Sequence, residues 1–156
     1  MQKEIEEAIK LKGRLHIAVW NDDGTLADEQ IVDNLIVTVG KAAIANQLTA
    51  GSPSPDPLLV NYVALGTGTN APAAGDTTLQ TETYRKVTAS ANNVSNVASI
   101  TGFFTAAETS GTFREAGLFI AGTASDNTGT LLSRVAINIA KTTAQTMTIS
   151  WSITIS

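Results

Sequence analysis

The chain has 156 residues and a mass of 16.2 kDa, enough for one domain whose core needs no covalent staples. It contains no cysteine, which excludes disulfides, thiolate metal sites and cysteine nucleophiles together. Charged residues make up only 15% against an ordinary ~25%, and a net charge of −4 with a pI near 4.8 leaves no basic footprint for nucleic acid.

The surface must therefore be covered by neutral residues. Thr, Ser, Asn and Gly supply them, a composition suited to strands and turns. What charge there is gathers early: residues 1–33 hold eight acids against four bases, and the remainder holds six of each. A neutral body has little charge to keep copies apart, which favours self-association and docking. The first twelve residues, MQKEIEEAIKLK, are too charged for a secretory apolar region, and no run approaches eighteen apolar residues, so the sequence predicts no membrane span and synthesis in a cytoplasm. Asn93-Val94-Ser95 matches a glycosylation sequon by pattern only, without secretory context.

Residues 2–11 suit a short helix, with Ile5 and Ile9 one turn apart and Ala8 beside them. Three apolar side chains cannot hold such a helix alone. Residues 1–12 are therefore expected to be an N-terminal helical arm that docks on the body, docks on a partner or frays, ahead of a single domain over 13–156. From Leu15 the period becomes two: Leu15, Ile17 and Val19 face one way, His16, Ala18 and Trp20 the other. Asn21-Asp22-Asp23-Gly24 supplies turn chemistry before a second extended run from Leu26 to Val37, which predicts a β-hairpin. Thr38 is placed to cap a helix over 39–49, ended by Gly51 and the prolines at 53, 55 and 57.

Leu58 to Leu65 reads as a strand, followed by a loop of small residues from Gly66 to Asp76. Strand patterns recur near 84–91, 97–106, 117–121, 131–140 and 145–155; in the last, Met147, Ile149, Trp151, Ile153 and Ile155 alternate with hydroxyl side chains. Seven or eight strands with one or two short helices predict a mostly β fold: an antiparallel, jelly-roll-like β-sandwich or a related barrel.

Few residues offer chemistry. His16, the single histidine, sits mid-strand with no second histidine or cysteine to share a metal. Asn21, Asp23, Asp28 and Glu29 carry oxygens but miss the spacing of a calcium loop, so a plain hairpin turn is expected. Gly66-x-Gly68-x-x-Ala71 matches a dinucleotide fingerprint in form, yet Pro72, Gly75 and Asp76 fall where a phosphate-binding helix should start. Gly66 and Gly68 read instead as a structural turn packed closely at a sheet edge. Glu82, Glu108 and Glu115 could in principle form a hydrolytic carboxylate pair, but Arg85 and Arg114 lie beside Glu82 and Glu115, so ion pairs are the expectation. No nucleophile elbow is present. Aromatic residues are only 5%, too few for a stacking platform; Trp20, with Ile5 and Ile9, is a candidate interface anchor. The sequence thus predicts no catalytic, cofactor-binding or metal-binding residue.

Four segments, in order, resemble a family of small tailed-bacteriophage structural proteins related to tail-collar fibres. They are Gly13–Asn21 with Gly24 and Asp33–Lys41; Tyr62-Val63-Ala64-Leu65-Gly66-Thr67-Gly68-Thr69 with Ala71-Pro72, Gly75-Asp76, Thr78-Leu79, Glu82 and Arg85; Arg114-Glu115-Ala116-Gly117-Leu118-Phe119; and Leu131-Leu132-Ser133-Arg134 with Lys141-Thr142 and Thr148–Ile153. The resemblance implies a non-catalytic virion component without a cofactor, synthesised in the host bacterial cytoplasm. Collar fibres continue into a shaft, whereas this sequence stops at Ser156 after its last predicted strand. The expectation is therefore a capsid decoration or cement protein binding the assembled shell in many copies, with a collar, baseplate or tail-fibre-attachment component as the alternative. Its expected partners are the major capsid protein or tail and collar proteins, and the resemblance implies a homo-oligomer, a trimer by preference.

Overall fold

The structure, a computed structural model, describes residues 8–49 and 58–156. Nine strands and one helix follow in chain order: β1 (Leu11–Trp20), β2 (Leu26–Ile36), α1 (Thr38–Thr49), β3 (Val60–Gly66), β4 (Glu82–Val87), β5 (Ser90–Val94), β6 (Val97–Phe104), β7 (Gly111–Ile120), β8 (Thr130–Lys141) and β9 (Thr146–Ile155). They form one curled antiparallel sheet in the order β4-β3-β7-β8-β2-β1-β9-β6-β5.

Alternation decides which side of each strand is buried. Leu15, Ile17 and Val19 of β1 stand opposite Trp151, Ile149 and Met147 of β9, and all six are at most 1% exposed. Directly opposed apolar pairs are the units that stabilise a sheet. The sheet curls until its two halves share this core, and Gly102 of β6 marks the contact: a Cβ there would lie 3.1 Å from Cγ2 of Val63 on β3, in the other half.

Two chain segments carry the curl. Up to Asn34, β2 pairs with β1; from Leu35 it pairs with β8 instead. At this crossing the Asn34 side chain lies across Gly13, where any Cβ would collide with it, and its amide donates to the Ser133 hydroxyl. The second crossing is between β4 and β5, the two ends of the strand order. The Thr88 N–H donates to Asn61 O on β3, and the next N–H, of Ala89, donates to Thr101 O on β6.

The helix predicted over 2–11 does not extend into the described residues. Ala8–Lys10 carry no helix, and Leu11 and Lys12 already pair with Ile155 and Thr154 in the sheet. Lys10 N–H donates to Ser156 O and Ser156 N–H to Lys10 O, so sheet pairing takes the backbone groups a helix would use. The boundary expected between residues 12 and 13 falls inside β1. Ile5, with residues 1–7 and 50–57, lies outside the described residues. The helix expected after Thr38 is α1; it packs on β8, and Gly40 permits the approach, because a Cβ there would stand 2.6 Å from Leu132 O.

Candidate functional site

The motif residues scattered through the sequence converge on the outer face of the β4-β3-β7-β8 half. Register places Arg85, Ala64, Gly117 and Arg134 side by side across the four strands. Two arginines thus flank two very small residues. Leu79, from the loop after β3, is 2% exposed and fills the space above them; a Cβ on Gly117 would come within 2.9 Å of its Cδ2. Val37, Phe119 and Leu131 complete this second apolar cluster.

Glu115 holds the loop down. Its Oε1 accepts from the N–H of Thr81 (2.7 Å) and Gly68 (3.1 Å), and its Oε2 from Gln80 N–H (3.0 Å) and Arg134 Nε (3.0 Å). The side chains of Glu115 and Arg134 are 1% and 3% exposed. Arg134 also reaches Asp76 at 2.5 Å and Asn70 O at 3.1 Å. Burial alone would raise the Asp76 carboxyl, but the Ala73 N–H and the Arg134 guanidinium outweigh it and hold it below its ordinary value. The loop also caps the helix, since Thr38 N–H donates to Ala74 O at 2.8 Å.

Both glycines of the predicted turn are required for proximity. Neither Gly66 nor Gly68 has a positive φ, so left-handed backbone is not the reason for them. A Cβ on Gly66 would stand 2.6 Å from Glu115 Oε1, and one on Gly68 would stand 2.5 Å from Gln80 Cβ and closer still to the same carboxylate.

Glu82 and Arg85 form a second buried pair, at 2.5 and 2.9 Å with side chains 0% and 2% exposed. Arg85 donates onward to Thr123 O, Thr128 O and the Thr128 hydroxyl, and its guanidinium lies 4.5 Å from the Phe119 ring centre and 5.4 Å from that of Tyr62. Glu82 also accepts from Asn127 N–H, and the Asn127 side chain in turn accepts from Leu79 N–H. Asn127 has φ 54°, a left-handed conformation that asparagine tolerates. Arg114 does not take part; Glu115 meets Arg134 in its place, because adjacent residues on a strand point to opposite faces.

A separate device orders the turn between β6 and β7. Lys141 is 2% exposed, and its Nζ donates to four carbonyls, those of Ala106, Glu108, Thr109 and Thr142, at 2.9–3.3 Å. Burial lowers its pKa, opposed by nearby Glu108. Glu108 itself is held at about 2 by Lys86, 2.6 Å away, and by Thr105 N–H.

Glu82, Glu108 and Glu115 are each bound to a cation, with one backbone N–H on Glu82, one on Glu108 and three on Glu115, and they serve different segments. Among the described residues no cluster of three or more His, Cys, Asp or Glu could hold a metal, and no helix is long and apolar enough to cross a membrane. In the hairpin turn, Asp23 accepts from the Thr25 N–H and hydroxyl, Gly24 has φ 81°, and Glu29 pairs with His16 at 2.6 Å. Asp28 accepts from the Glu29 N–H, and Asn21 Oδ1 accepts from the Gln145 side-chain amide in the turn between β8 and β9.

The outer face of the other half is broad and neutral. Ser99, Thr101, Thr148, Ser150, Ser152 and Thr154 lie in rows beside Arg14 and His16, which are paired to Asp33 and Glu29. Trp20 is 38% exposed and Ile9 77% exposed; they stand eleven residues apart at opposite ends of β1, about 36 Å at strand rise, and do not form one patch. The roles of Asp76, Arg134 and Lys141 are not predicted by the sequence. For Arg134 the sequence carries one signal, a basic residue among apolar strand positions in Leu131-Leu132-Ser133-Arg134-Val135. No family model, curated protein or solved structure matches the chain.

Proposed function

We propose that the chain is a non-enzymatic structural component of a tailed-bacteriophage virion, acting as a capsid decoration or cement protein bound to the assembled shell in many copies. One observation carries this: Gly13, Asn34, Gly66, Gly68, Asp76, Leu79, Glu82, Arg85, Glu115, Gly117, Ser133 and Arg134, all within the segments that resemble phage structural proteins, serve one strand crossing, one clamped loop and the buried pair that ties the 123–128 loop beside it. Isolated strand and turn residues matching by chance have no reason to meet in space. Residues that build a common fold must. In this reading the curled sheet is a jelly-roll-like β-sandwich with its halves as the two layers.

The distribution of polarity supports a docking protein. The distinctive charged groups are consumed internally, and the hydroxyl-rich face is left for contact by area and shape. A partner would be a repeated virion surface, the major capsid protein first, and the neutral body favours a homo-oligomer.

The test is the copy number per major capsid protein in purified particles of its phage, by quantitative mass spectrometry. A number of the same order as the capsid protein supports decoration. A small number set by the axial symmetry of the tail favours the collar or baseplate reading, and absence from the particle refutes both.

A further inference from the structure

The two ends of the strand order are protected very differently. β4 is guarded in the manner of soluble edge strands: Glu82, Arg85 and Lys86 lie along it, Arg85 is tied to the 123–128 loop, and Lys86 bridges to Glu108. β5 has none of these protections. All five of its residues, Ser-Ala-Asn-Asn-Val, are exposed, with Val94 77% exposed. Among the described residues it pairs on one side only, with β6. It carries no charge, no proline and no bulge. The charge gap is wider than the strand: from Val87 to Ala107, twenty-one consecutive residues spanning the whole β5–β6 hairpin, there is no Asp, Glu, Lys or Arg.

We propose that the free edge of β5 is an interface with a second copy of this chain, the two β5 strands pairing antiparallel about a two-fold axis close to Asn92. Three points select that occupant. A strand edge recognises another extended strand through backbone hydrogen bonds. An edge without charge offers a differently charged partner no complementary group, whereas two identical neutral edges meet with no charge to desolvate and no like charges to repel. Finally, a two-fold pairing is isologous and uses only the unguarded edge, while a head-to-tail ring would have to pair β5 with the guarded β4. The product is one continuous sheet through both copies, whose central stretch, from β2 of one to β2 of the other, sets the hydroxyl-rich faces side by side. Contact through a five-residue strand and its neighbours falls at the small end of specific interfaces, so the dimer forms reversibly with concentration. This inference is independent of the virion reading, since it is tested on the isolated protein.

The experiment is light scattering coupled to size exclusion over a concentration series, on the wild-type chain and on N92K and V94K. Both substitutions lie on an exposed edge, and unchanged circular dichroism verifies the fold. The wild type is expected to move from monomer to dimer, and each lysine to weaken the dimer about tenfold or more. The absence of cysteine provides a second readout. N92C is expected to form a disulfide-linked dimer on mild oxidation, because directly opposed antiparallel residues bring their Cα atoms within bridging range; S90C alone is not, while S90C mixed with V94C is. A wild type that stays monomeric at its solubility limit, a trimer, or a dimer unaffected by both lysines would overturn the proposal.

Discussion

Replacing Glu115 by glutamine changes almost no volume and tests the clamp directly. Glu115 accepts four hydrogen bonds, two at each oxygen. Glutamine keeps one accepting oxygen and turns the other position into an NH2 group. In either orientation that group faces two donors, Gln80 N–H with Arg134 Nε or Thr81 N–H with Gly68 N–H. Breaking a buried ion pair from one side costs ~3–5 kcal/mol. Asp76 remains on Arg134 and keeps the loss near the lower figure, about 3 kcal/mol, which for a domain of this size is about 6–12 °C in Tm. Thermal unfolding followed by far-ultraviolet circular dichroism reads it. A shift within about 2 °C would refute the view that this carboxylate fastens the loop. A cycle with R134M adds a check: the double variant is expected to lose less than the two single losses together, since the partners are in contact.

Gly68→Val is expected to cost about 1–3 kcal/mol through overpacking against Glu115 and Gln80; an unchanged denaturation midpoint would show that the loop can step away. Gly40→Ala, which in an exposed helix would gain ~1 kcal/mol, is expected to lower Tm here because its Cβ meets the backbone of Leu132 at 2.6 and 2.8 Å; a rise would contradict the packing of α1. Glu108 has a folded pKa of about 2, depressed from 4.5. Its stabilising contribution is therefore complete above pH ~4.5 and is lost as the pH falls through about 2. E108Q should flatten that stretch of the stability–pH curve, and identical acid limbs for the two proteins would rule out this carboxylate as a source. Lys141→Met strands four carbonyls that Nζ now satisfies, a loss of ~1–3 kcal/mol, measured by urea unfolding.

Local order was legible and long-range partnership was not. Period-two patterning located β1 and β9, and Asp23-Gly24 located the turn between β1 and β2. The strand read near 117–121 begins at Gly111, because Arg114, Glu115 and Gly117 interrupt the apolar alternation. Two of these, Glu115 and Gly117, face the polar clamp instead of the main core. The single strand read over 84–91 is two, since its backbone changes partners between Thr88 and Ala89, a switch made by tertiary contacts with no punctuating glycine or proline. For the site, Glu82 and Arg85 are three residues apart and visible as a pair. Glu115 with Arg134 is visible only once β7 and β8 are in register. Lys141 carries no local sign of its role, because all its partners are main-chain oxygens.

Strand order also governs when the protein can fold. β9 sits between β1 and β6, so during synthesis the earliest hairpin, β1–β2, and the uncharged hairpin β5–β6 have no sheet joining them until the last strand emerges. Residue 11 must find residue 155, a closure across nearly the whole chain, and such non-local pairing places folding in the slow, millisecond-to-second range. For that interval the neutral hairpin is a bare template on both sides. Nascent chains on one messenger then face a kinetic choice between completing their own sheet and lending a strand to a neighbour.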